Sequence, residues 1–88
     1  MATKKVIKFY ATWCGPCKVY AKTWDKVILK YEDQVEVHNI DIDKDTTGLA
    51  ASYKIQTVPT TILVREDGSE IKKTGRLSAD ELTELILS

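Results

Sequence analysis

Apolar residues fall along this chain in short stretches whose spacing changes between strand-like and helix-like periods, and each change predicts an element. Val6 to Ala11 is β-branched and aromatic with one charge, Lys8, as a strand covered on both faces requires. From Pro16 to about Tyr31, the positions Cys17, Tyr20, Ala21, Trp24, Val27, Ile28 and Tyr31 follow the i, i+3, i+4, i+7 stripe of an amphipathic helix. Its lysines Lys18, Lys22, Lys26 and Lys30 recur every four residues as a solvated stripe. Glu32-Asp33-Gln34 breaks the helix, and Val35 to Ile42 alternates as a second strand. Asp43, Asp45, Thr46 and Thr47 offer caps for a short helix reaching roughly Tyr53.

The second half is read from its punctuation. Pro59 cannot donate inside a central strand, so it marks the start of the strand that runs through Ile62-Leu63-Val64. Glu66-Asp67-Gly68-Ser69 is a hairpin turn, and Ile71 to about Thr74 pairs back antiparallel until Gly75 ends the strand. Ser78-x-x-Glu81 is a capping box, and Leu82, Leu85 and Ile86 form the buried face of a closing helix. The order β-α-β-α-β-β-α predicts an α/β fold: a four-stranded mixed sheet with helices on both faces, as one domain over residues 1–88.

The candidate chemistry lies where the first strand meets the first helix, at Trp13-Cys14-Gly15-Pro16-Cys17, which holds both cysteines of the chain. Open α/β sheets place their sites at the carboxyl ends of strands. Cys14, at the helix N-terminus, is set among unpaired N–H groups and the positive end of the dipole, which stabilise a thiolate. Pro16 suits a first helical turn, and Gly15 is expected to let the backbone turn without a Cβ clash. Cys17, one turn inward and more covered, is within reach of Cys14, so the pair can cycle between dithiol and disulfide. A zinc site needs four ligands, whereas the chain offers two Cys and His38. A purely structural bridge between such near neighbours restricts the unfolded chain little, and an inert buried pair would not need Trp13, Gly15 and Pro16 beside it. His38, without a visible partner, is a surface residue rather than a base. Asp41, Asp43 and Asp45 start like a calcium loop but lack its glycine and closing glutamate.

Composition narrows the function classes. Thirteen basic and thirteen acidic residues cancel, so nothing points to nucleic acid or to an anionic membrane. No run is long enough for a membrane span or a signal-peptide core, and the reducing cytosol is the expected location. Nothing demands more than a monomer.

Trp13-Cys14-Gly15-Pro16-Cys17-Lys18, Asn39-Ile40-Asp41, Val58-Pro59-Thr60 and Gly75-x-Leu77-Ser78, in this order and spacing, resemble the thioredoxin family. The likeness covers essentially the whole chain but lacks the family's usual first strand and helix, as in its short phage-type or archaeal-type members. It implies the thioredoxin fold and reduction of protein disulfides without a bound cofactor. Carried over by motif, Cys14 would be the nucleophile, Cys17 the resolving cysteine, and Pro59 a cis-proline facing them. Val58 would offer backbone hydrogen bonds to a substrate strand, and Trp13, Val58 and Gly75 would form the surface that substrates touch. Electrons would come from NADPH through thioredoxin reductase and pass to ribonucleotide reductase, peroxidases or similar enzymes. Two alternatives are a glutaredoxin-like, glutathione-dependent reductase and a non-catalytic binding subunit of a larger enzyme.

The chain departs from the family pattern in the strand and helix around the motif. Lys8 stands where the family usually carries a buried acid that helps deprotonate the resolving thiol, and Val37 replaces that acid's lysine partner. Lys22 replaces a helix-kinking proline, which predicts a straighter helix, and Tyr10 stands where many relatives have tryptophan. The simpler expectation for Lys8 is that its ammonium snorkels into water. The other is that it reaches near Cys17, favours thiolates and makes the protein a stronger oxidant.

Overall fold

A computed structural model describes residues 3–88. Strand β1 (Lys4–Tyr10) leads into helix α1 (Gly15–Tyr31); β2 (Val35–Asp41), α2 (Leu49–Ser52), β3 (Thr60–Val64), β4 (Glu70–Thr74) and α3 (Ala79–Leu87) follow. The order of elements is the one that the hydrophobic pattern predicts. In the sheet the strands run β2-β1-β3-β4, with β1 parallel to β2 and antiparallel to β3, and β3 antiparallel to β4.

The inner strand β1 carries an unbroken apolar run because both of its faces are covered. Val6 packs with Tyr20, Trp24 and Val27 of α1 and with Leu82, Leu85 and Ile86 of α3. Ile7 and Phe9 point the other way, into a second cluster with Ile40, Ile62, Leu49 and Tyr53. Each fully buried side chain of this size contributes roughly 1.5–3 kcal/mol. Helix α1 is a continuous α-helix through Lys22, as expected for a chain without the proline.

Side-chain hydrogen bonds set the ends of the other elements. Ser78 Oγ accepts from the Glu81 N–H at 3.1 Å while Glu81 accepts from the Ser78 N–H at 2.9 Å, so the predicted capping box closes α3 at its start. At its other end the Lys4 ammonium donates to the carbonyls of Ile86 and Ser88, at 2.9 and 3.0 Å. In the turn after β3, Gly68 has φ +88 and Asp67 accepts from the Ser69 N–H. Helix α2 is only one turn long, because the loop before it is held by its own bonds. There Asp45 accepts from the Ala50 N–H and Thr47 Oγ1 from the Leu49 N–H.

Lys8 corrects the simpler expectation. Only 7% of it is exposed, and its ammonium lies 5.1 Å from the Trp24 ring centre and 5.5 Å from that of Tyr10. It shares a face of β1 with Val6, and α1 passes over that face, so the side chain is roofed by Trp24 instead of reaching water.

Candidate active site

The turn from β1 into α1 sets the site. Cys14 is the N-cap of α1, in extended conformation with φ −86 and ψ 110, and its N–H donates to the Ala11 carbonyl at 3.2 Å. Its sulfur accepts from the Cys17 N–H at 3.1 Å, the position that a side-chain oxygen takes in an ordinary N-cap. Gly15 and Pro16 begin the helix. A Cβ on Gly15 would meet nothing within 4 Å and its φ is not positive, so no steric clash requires glycine there. That differs from the expectation, because the turn is completed before Gly15 and the glycine is already helical.

Cys14 and Cys17 are joined as a disulfide, with Cα atoms 5.2 Å apart. Cys17 is not the more covered residue: Cys14 and Cys17 are 4% and 5% exposed. What separates them is their surroundings. Cys14 Sγ lies 3.6 Å from the Val58 carbonyl oxygen. Cys17 instead lines a cleft of about 340 Å³ with Lys8, Tyr10, Ala11, Thr12, Lys18 and Ala21.

The Val58-Pro59 peptide bond is cis and precedes β3. Pro59 is fully buried, its carbonyl accepts from the Gly75 N–H at 2.8 Å, and Thr60 Oγ1 donates to the Thr57 carbonyl at 2.7 Å. Gly75 has φ +86, so a side chain there would be strained. Val58, half-buried, packs against the cluster of Ala11, Cys14 and Cys17. Thus Cys14 and Cys17 at the start of α1, Val58 and Pro59 ahead of β3 and Gly75 after β4 lie at one end of the sheet.

Trp13 is 68% exposed, and its indole Nε1 donates to Asp43 at 2.8 Å. Asp43, expected as a cap for α2, braces Trp13 instead. Register explains it: β1 and β2 are parallel with Tyr10 opposite Asp41, so the residues just beyond each strand end side by side. The only signal in the sequence was an acid just past the strand that ends at the edge of the motif. His38 lies on β2 with Nε2 3.1 Å from Glu36, away from the sulfurs. Lys8 lines the same cleft as Cys17; burial draws its pKa down from 10.5, and the charge of Asp25 opposes that in part.

A sulfur capping a helix N-terminus, a second sulfur bonded to it and the Val58 backbone alongside are the parts that thiol–disulfide exchange needs. The family profile described as Thioredoxin matches residues 1–88. The chain belongs to the thioredoxin family. It is 32% identical over 81 residues to the thioredoxin of Borreliella burgdorferi, spanning 92% of this chain and 68% of that one. It is 36% identical over 80 residues to the mitochondrial thioredoxin of Bos taurus, spanning 91% of this chain and 48% of that protein. The solved thioredoxin of Fasciola hepatica superposes with a TM-score of 0.83 at 29% identity, covering 98% of this chain and 80% of that one.

Membership in the family and the Cys14–Cys17 pair make the protein a thiol–disulfide oxidoreductase that reduces protein disulfides, with the cysteine pair as its redox-active group. No observation favours the glutaredoxin-like or the non-catalytic alternative.

Proposed function

We propose that this thioredoxin is a cytosolic, monomeric dithiol reductant that receives electrons from NADPH through thioredoxin reductase. It passes them to disulfide-forming enzymes such as ribonucleotide reductase. Cys14 is the nucleophile: its thiolate attacks a substrate disulfide, one substrate sulfur leaves, and a mixed disulfide remains on Cys14. Cys17 then attacks Cys14, the bond to the substrate breaks, and the Cys14–Cys17 disulfide forms as the substrate departs reduced. Val58, ahead of Pro59, presents its backbone to the substrate strand, while Trp13 and Gly75 complete the contact surface.

The observation that supports this reading best is the 3.6 Å approach of Cys14 Sγ to the Val58 carbonyl, which puts that sulfur beside the backbone leading into β3. The test follows NADPH oxidation by thioredoxin reductase with insulin as acceptor. Consumption that depends on this protein is the expected result. If dithiothreitol drives insulin reduction but no thioredoxin reductase does, the electron source is different.

A further inference from the structure

The buried lysine of β1 has no counter-charge in contact with it. Among the described residues its ammonium makes no hydrogen bond and no ion pair, and its contacts are the faces of Trp24 and Tyr10. Rings offset part of the loss of water around a cation, whereas a buried charge without an anion stays costly. Its surroundings supply none. Its cross-strand neighbours are Asn39 on β2 and Thr61 on β3, both neutral, and Thr61 is already bonded to the Tyr20 hydroxyl at 2.7 Å. On α1 the charges are Lys18, Lys22, Lys26 and Lys30, none of them an anion, and Asp25, which acts on Lys8 at a distance; Lys18 lines the same cleft. The one group in the cleft that can become an anion during the redox cycle is Cys17, which lines the same cleft as Lys8.

We propose that Lys8 tunes the pair through Cys17: its ammonium stabilises the Cys17 thiolate, speeds the resolving step and makes the couple more oxidising. In that step the Cys17 thiol releases its proton and its sulfur attacks Cys14. The Cys14–substrate bond breaks, the substrate leaves as a thiolate and takes up a proton, and the Cys14–Cys17 bond forms. The substrate gains two electrons and the pair loses two; Lys8 is unchanged. The ammonium is paired only while Cys17 is a thiolate, so the charge favours the dithiol form over the disulfide. The inference rests on the dithiol–disulfide cycle and not on which reductase feeds it, so a failure of either leaves the other standing.

The test is the exchange equilibrium of the Cys14–Cys17 couple with a glutathione buffer. Lys8→Met is expected to shift the constant about tenfold toward the disulfide form, about 30 mV more negative, while Lys8→Arg stays within about threefold of the parent. In a Cys14→Ser background, alkylation of Cys17 is expected to need a higher pH once Lys8 is Met, a readout that a merely structural role would not move. An unchanged or more positive potential in Lys8→Met would overturn the inference. So would an Arg variant that shifts as far as Met, since the charge would then not be the cause. If Lys8→Met does not fold, Lys8→Gln is read by the same criteria.

Discussion

The two ends of β1 each carry a lysine on the same face of the sheet, about 13 Å apart by the rise of a strand. Lys4, at the start, reaches the last carbonyls of α3 and is held at 2.9 and 3.0 Å by groups that want a cation. Lys8, at the end that enters the motif, is more deeply buried and is bonded to nothing among the described residues. One lysine completes the fold. The other keeps its ammonium over the rings of Tyr10 and Trp24, in the cleft that Cys17 also lines. The same residue type on the same face meets different surroundings because α3 ends over Lys4 while α1 passes across Lys8.

The largest effect expected on this comparison comes from its chemical end. Cys17→Ser should abolish multiple turnover and leave a substrate covalently attached to Cys14, seen as a mass increase by mass spectrometry. Continued turnover would mean that the pair is not the working group. Next comes the structural end: Lys4→Met should lower the unfolding free energy by about 1 kcal/mol in urea titration, since its bonds are partly exposed. Its redox potential should stay at the parent value. A shift there would break the division between the two ends.

The smallest effect is in the pH dependence of stability. Burial lowers the pKa of Lys8 in the folded chain below its ordinary 10.5, so between those values the unfolded chain binds more protons. Stability therefore gains a rising component as pH climbs toward 10.5, and Lys8→Met should remove it. Unfolding of the disulfide form at several alkaline pH values measures this without thiol titration. Parallel curves for parent and variant would show that Lys8 is not held apart from water.

Periodicity and punctuation were enough for the elements, because both faces of β1 demand an apolar run and Ser78 and Glu81 can only satisfy each other's N–H groups at a helix start. The cysteine pair was equally legible: two sulfurs three residues apart at a helix start have little else to do. Less legible were Asp43, a cap in sequence terms but a brace for Trp13 in space, and the equal burial of Cys14 and Cys17. Both depend on which loops lie side by side, and loop positions follow from strand register rather than from local composition.

By itself, the sequence determined the order of elements, the sheet and the identity of the redox pair, since these rest on local spacing and on the chemistry of sulfur at a helix N-terminus. Tertiary structure alone decided the placement of Lys8 under Trp24, the meeting of Val58 with Cys14, and the cleft that Lys8 shares with Cys17. Each joins residues distant in the chain, and whether a charge meets water, a ring or a sulfur is a matter of what packs over it.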